Sequence, residues 1–144
     1  IPYLIGMTSQ DIMPPILYKM AGDWCRTQAA QNGPASYEWF FDRQLPGDAC
    51  GAWHSSDLWY WFGTLDHCWR PFTAQDKVLS AQMVSYLTNF AKHGDPNGTD
   101  VPVWLPIDAT QHKVLRLGEQ PARMGSASMP KLVWTMLTNK AVGE

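Results

Sequence analysis

The sequence predicts an α/β fold with a few mostly parallel strands and flanking helices, and three observations carry that expectation. Residues 2–7 (Pro-Tyr-Leu-Ile-Gly-Met) are a short, almost wholly apolar run, the pattern of a strand buried on both faces. Ile16, Leu17, Met20, Ala21 and Trp24 then recur at helical spacing. Residues 35–42 (Ala-Ser-Tyr-Glu-Trp-Phe-Phe-Asp) are rich in aromatics and read as a second strand. Strand, helix and strand in that order suit a right-handed crossover in a parallel sheet.

The punctuation between these elements is equally physical. Thr8-Ser9-Gln10-Asp11 is a polar turn that ends the first strand. Pro14 and Pro15 fit the first turn of the helix, where a missing N–H costs nothing. Asn32-Gly33-Pro34 stops that helix after about Gln31. The loop over 43–53 carries Pro46-Gly47-Asp48 and Gly51, and His54 stands at its end. Ser55-Ser56-Asp57 leads into a short aromatic helix that runs through Phe62 and stops at Gly63.

Thr73-Ala74-Gln75-Asp76 resembles a capping box, with Asp in place of the usual Glu or Gln. The helix it opens has an apolar stripe of Leu79, Met83, Tyr86, Leu87 and Phe90, and Asp76, Lys77, Gln82 and Asn89 are expected to face outward. His93-Gly94 ends it, and Asp95-Pro96-Asn97-Gly98 is a turn. An irregular Trp104-Leu105-Pro106 segment, a strand over 114–117 and a closing helix over 130–140 complete the chain. There is no internal repeat, low-complexity stretch or linker, so residues 1–144 read as a single unit.

Composition excludes several function classes. The chain is 45% hydrophobic and 17% charged, an ordinary globular balance that can build a core. A net charge of -2 gives no electrostatic reason to expect nucleic acid or an anionic membrane as a partner. No apolar run approaches the ~20 residues that span a bilayer. Cys25, Cys50 and Cys68 match no metal spacing, and no cofactor is implied. Reduced, partly buried thiols in a cytoplasmic protein are the expectation, with a Cys50–Cys68 bridge as the alternative. The first residues, Ile1-Pro2-Tyr3-Leu4, open in mid-strand, which suggests a chain cut from something longer.

Eight tryptophans make this chain unusual, and five of them (Trp39, Trp53, Trp59, Trp61, Trp69) fall between the second strand and the capping-box helix. Core filling is the ordinary use of such residues, whereas Trp53, Trp59 and Trp61 flank His54 and suit an apolar pocket wall. Among the four histidines, His67, His93 and His112 have unremarkable settings in a loop, at a helix end and in a polar stretch. His54 follows a strand and a Gly-containing loop, where α/β enzymes place their sites. Asp11 holds the equivalent place one strand earlier. A carboxylate and an imidazole so placed can form the orienting half of an acid–base–nucleophile triad. On spacing alone, a helix-capping Asp11 and a packed or solvent-facing His54 fit as well.

A family pattern shifts that balance. Gly51-Ala52-Trp53-His54-Ser55-Ser56-Asp57-Leu58-Trp59-Tyr60-Trp61-Phe62-Gly63 resembles the Gly-x-x-His-x-x-Glu-Leu-x-x-x-Phe-Gly motif of type-B carboxylesterases and cholinesterases. Trp69-Arg70-Pro71-Phe72, the stretch Asn89-Phe90-Ala91-Lys92-His93-Gly94-Asp95-Pro96-Asn97-Gly98, Val103-Trp104-Leu105-Pro106 and Val114-Leu115-Arg116-Leu117-Gly118 resemble later segments of that family in the right order. The resemblance implies the C-terminal portion of an α/β-hydrolase catalytic domain acting on a small ester substrate. It implies His54 as general base and Asp11 as triad acid, although the family more often has Glu there. Asp57 stands where the family carries a Glu that supports the local network, and its shorter side chain is expected to recruit a water.

Two departures matter. Fewer residues separate Asp11 from His54 than in cholinesterases, so the long helical insertion of those enzymes is absent or trimmed. The family's nucleophile motif, Gly-x-Ser-x-Gly, does not occur anywhere in the sequence, and neither does the His-Gly-Gly oxyanion loop. Two readings follow: the proton-handling part of an ester hydrolase whose Ser lies on a missing N-terminal segment, or a non-catalytic binding or assembly module on a cholinesterase-like scaffold. In either case an exposed sheet edge is expected to favour self-association.

Overall fold

The computed structural model describes residues 1–119 and 121–138. Strand β1 (Tyr3–Thr8) feeds helix α1 (Pro14–Ala30), which returns to strand β2 (Ser36–Phe41). The short helix α2 (Leu58–Trp61) and a 3₁₀ turn (Leu65–His67) precede the long helix α3 (Ala74–His93). Strands β3 (Val114–Leu117) and β4 (Arg123–Gly125) and helix α4 (Met129–Thr138) follow. The sheet runs β1-β2-β3-β4, parallel across the first two pairings and antiparallel across the last. This is an α/β fold, as the strand–helix–strand reading expects.

β2 is the centre of the molecule because its residues alternate between two cores. Tyr37 and Phe41 join Leu79, Met83, Tyr86 and Trp104 on the face covered by α3. Phe40 joins Met7, Tyr18, Cys25, Val114 and Leu132 on the face covered by α1 and α4. Gly6 lies opposite Trp39 in the β1–β2 register, and a Cβ there would stand 2.2 Å from the Trp39 ring. Glycine at this position lets the indole lie flat across β1.

Several expectations need correction. β1 is not buried on both faces along its length: Tyr3 is exposed and Leu4, Ile5 and Gly6 are only half-buried, at what is the sheet's edge among the described residues. An apolar run therefore signals a strand here without telling whether a neighbour covers its outer side. β4 is too short and too polar to be read from sequence. Asp76 does not face outward; it is fully buried. His112 is not a surface residue of a polar stretch, because its Nε2 lies 2.7 Å from the carboxylate of the fully buried Glu38. Its ring also stacks on Tyr18, with centroids 4.2 Å apart, in space that Gly22 leaves open. The last two residues of the closing helix as expected, 139 and 140, lie outside the described residues. All three cysteines are free, Cys25 buried, Cys68 half-buried and Cys50 exposed. Burial pushes the Cys25 thiol up to about 12.

Asp76 explains how the capping box doubles as a tertiary tie. Its Oδ2 accepts from the Thr73 N–H (2.8 Å) and hydroxyl (2.7 Å), while its Oδ1 accepts from Arg43 Nε (2.8 Å) and the Tyr60 hydroxyl (2.7 Å). Burial alone would raise this carboxyl; the bonds from Arg43, Thr73 and Tyr60 override it and hold Asp76 well below the usual carboxylate range. Arg43 also pairs with Glu119. One carboxylate thus joins the end of β2, α2 and the start of α3.

A second tie shapes the loop after β2. The Arg70 guanidinium donates to the Pro46 carbonyl (2.8 Å) and to the Asp48 carboxylate (2.6 Å). It also lies against the Trp53 and Trp69 rings, 4.7 Å and 4.8 Å from their centroids. The Arg70 bond, with help from the Cys50 N–H, lowers Asp48 to about 2.

Replacing Asp76 with Asn is expected to cost about 3 kcal/mol at pH 7, since it leaves the buried Arg43 with only the exposed Glu119 as charge partner. Because the folded carboxyl is depressed, the wild-type advantage is full above the unfolded carboxylate range. It shrinks only as pH falls below that range toward the folded value. Denaturant unfolding of both proteins across pH 3–8 measures this. Arg70→Lys is expected to cost about 1 kcal/mol, because Lys cannot reproduce a planar fork held between two indoles. Faster amide exchange from Gly47 to Ala52 would locate the loss.

Candidate functional site

β1 and β2 are parallel and in register from Tyr3↔Ser36 to Thr8↔Phe41. Pairing continues past both strand ends: Ser9 N–H donates to the Phe41 carbonyl (2.8 Å) and Gln10 N–H to the Ala52 carbonyl (2.9 Å). Gln10 and Trp53 form an isolated parallel bridge. The loop over 43–51 bulges out and returns, so that the residue after Gln10 meets the residue after Trp53. Those residues are Asp11 and His54.

His54 Nδ1 lies 2.7 Å from Asp11 Oδ1. Asp11 is held from its own turn, with Oδ1 accepting from Ile12 N–H (2.7 Å) and Oδ2 from the Thr8 hydroxyl (3.3 Å). The N-cap of helix α1 is instead Met13, with no side-chain cap, so Asp11 meets an imidazole rather than capping a helix. An ionised carboxylate at that distance accepts from Nδ1–H and leaves Nε2 as the proton acceptor. The carboxylate side chain is 9% exposed and the imidazole 63%. The acid is therefore enclosed, and the base presents its second nitrogen outward.

Both loops have unusual backbone next to these residues. Ser55, directly after His54, has φ 68°, and Met13, two residues after Asp11, has φ 52°. Side chains other than Gly rarely adopt the left-handed region, and such positions gather where surroundings impose a geometry. Ser56 N–H bonds back to the Trp53 carbonyl (3.0 Å) and closes a tight turn around His54.

Asp57 lies behind this pair, nearly fully buried. Its Oδ2 accepts from the indole N–H groups of Trp61 (3.1 Å) and Trp39 (3.3 Å), so two tryptophans hold it directly. Burial raises the Asp57 carboxyl, the two indole bonds oppose that rise, and the Asp11 charge adds to it. Trp61 belongs to the core, edge-on to Trp39 at 5.1 Å. Trp53 and Trp59 are half-buried and edge-on to each other at 6.0 Å, with the Arg70 guanidinium on Trp53. The structure thus joins Asp11 to His54, sets Asp57 one layer behind, and uses the three expected pocket tryptophans for packing and support. Thr8 holds Asp11 from within its own turn, while Trp39 and Arg70 support the site through tertiary contacts that the sequence does not show. Among the described residues, no group of three or more His, Cys, Asp or Glu side chains could hold a metal ion, and no helix is long and apolar enough to cross a membrane.

Comparison with known proteins agrees with this architecture. Bile salt-activated lipase of Homo sapiens is 36% identical over 88 residues, which is 59% of this chain and 11% of that protein. The Rattus norvegicus enzyme is 46% identical over 73 residues, 49% of this chain and 12% of its own length. Acylcarnitine hydrolase of Rattus norvegicus is 43% identical over 51 residues, 35% and 9% of the two chains. The matches thus span about a tenth of these relatives. A solved esterase from anaerobic Clostridium hathewayi, described as able to hydrolyse aliphatic aromatic polyesters, superposes with a TM-score of 0.67 at 20% identity. The overlap covers 85% of this chain and 24% of that one, and it shows a shared fold. The model of the carboxylesterase family matches residues 2–133, and the chain belongs to that family.

Proposed function

We propose that this chain is the C-terminal part of a carboxylic ester hydrolase, with His54 as general base and Asp11 as the acid that orients it. The observation that carries the reading is the 2.7 Å Asp11–His54 contact at adjacent parallel strand ends. Asp11 fixes the Nδ1–H tautomer and stabilises the imidazolium; Nε2 takes the proton from the attacking hydroxyl and later from the water that clears the acyl-enzyme. The attacking Ser and the oxyanion donors lie on a segment N-terminal to this chain. Support comes from the lack of any Gly-x-Ser-x-Gly and from the small share of each relative that the chain spans. Asp57 acts through the loop: it anchors Trp39 and Trp61 beneath His54.

The outer edge of β1 is where that segment pairs. Among the described residues β1 has no neighbour on that side, and Ile16, Met20 and Trp24 of α1 are exposed. Unpaired strand groups and apolar side chains of this kind favour association when left uncovered. A second copy meeting the same edge is the expected behaviour of the isolated chain.

Several outcomes test the reading. The isolated chain should not hydrolyse p-nitrophenyl butyrate in a His54-dependent manner; activity abolished by His54→Ala in this chain alone would overturn the missing-nucleophile claim. Produced together with its upstream coding segment, the protein should lose roughly 10⁶-fold in kcat on His54→Ala and roughly 10⁴-fold on Asp11→Asn. Unchanged kcat in either variant would remove that residue from the mechanism. Sedimentation of the isolated chain should detect dimers or larger species at micromolar concentration, whereas a monodisperse monomer would count against pairing at the β1 edge.

A further inference from the structure

A cleft of about 320 Å³ opens on the α4 face of the sheet, beneath the two loops that carry Asp11 and His54. It is unlike an ordinary surface hollow in three respects. Its floor is apolar, formed by Phe40 and Leu132, both almost completely buried. Its walls carry two cations, Arg116 and Lys131. Its rim is formed by residues 9–10 and 51–52, shortly before the candidate acid and base.

The charge balance indicates what such a cleft accepts. Arg116 pairs with Asp42, and its guanidinium carbon lies 5.8 Å from the centre of the Phe40 ring, so its position is set. Lys131 has no carboxylate partner among the described residues. A second recess of about 240 Å³ shares Asp42, Arg116 and Lys131 and adds Arg123 and Glu119. Glu119 is itself taken by Arg43. Both acids that border the two recesses are thus already paired, while Lys131 and Arg123 have no carboxylate partner among the described residues. An ammonium beside a fixed guanidinium, above an apolar floor, matches a ligand with an anionic head and a short apolar body.

The geometry points to a binding site for a small organic monocarboxylate, with Lys131 and Arg116 on its carboxylate and Phe40 and Leu132 under its apolar part. Inorganic phosphate supplies the charge but leaves the floor uncovered, so it fits less well. The site uses neither His54 nor Asp11, and its existence does not depend on the ester hydrolase reading. It does touch the backbone that sets their geometry. Gln10 N–H bonds the Ala52 carbonyl at 2.9 Å, and Gly51, with φ 71°, gives way to the Gln10 side chain, where a Cβ would lie 1.6 Å from Oε1. An occupant therefore rests on the seam that joins the two loops.

The test is an NMR titration of the ¹⁵N-labelled chain with benzoate, with benzamide and inorganic phosphate as comparators. Benzoate should shift the amides of Ala52, Leu132 and Thr135 saturably, benzamide should leave them in place, and phosphate should act only at higher concentration. Lys131→Gln should weaken benzoate binding about 10-fold, while the distant surface change Lys77→Gln should not. His54→Ala should leave the affinity unchanged. Absence of saturable shifts, an equal response to benzamide, or full affinity in Lys131→Gln would overturn the proposal. So would loss of binding in His54→Ala, since that would place benzoate at the Asp11–His54 pair.

Discussion

The parallel pairing of β1 with β2, carried beyond the strands by the Ser9–Phe41 and Gln10–Ala52 bonds, is the constraint on which the site depends. Parallel strands bring their C-terminal ends to one edge, so loops far apart in the chain emerge side by side. A one-residue slip would turn every β2 side chain to the opposite face, sending Glu38 toward α3 and Phe41 toward α1. Such a slip would bury a carboxylate among Leu79, Met83 and Tyr86. The register is therefore held by the same alternation that builds the two cores, and the Asp11–His54 contact inherits its accuracy.

Holding the loop over 43–53 is a separate problem, since turn residues alone do not keep a histidine within 2.7 Å of a carboxylate. The chain solves it with ionic ties at the start and the middle of the loop. Arg43 anchors the start of the loop on Asp76, and Arg70 clasps its middle through Pro46, Asp48 and the Trp53 face. Arginine suits both places because its planar fork binds two acceptors at once and stays charged when enclosed. The indoles of Trp39 and Trp61 add a floor under the turn through Asp57.

Polar groups enclosed by the fold were the hardest to read from sequence. Asp76 sits at a position of helical periodicity that also suits a solvent-facing residue, and a capping box explains it without any tertiary partner. Only the approach of Arg43 and Tyr60 makes it a hub. Glu38 lies in an aromatic strand, and His112 lies between Gln and Lys. Their pairing across the sheet follows from a fold that brings residues from distant segments together. Periodicity reports which face a residue takes but not which partner waits there.

By itself the sequence determined the strand–helix–strand order, the capping box at Thr73, the family motif around His54, and the position of Asp11 one strand earlier. These are local signals: apolar periods of two and 3.6, proline and glycine at turns, and a contiguous motif. The tertiary structure decided the rest. It put Asp11 on His54 instead of on a helix end, turned Trp61 into the support of Asp57, left β1 at an edge, and formed the cationic cleft from β2, β3 and α4. Each of these depends on distances between segments remote in the chain, and such distances exist only once both cores have closed on the sheet.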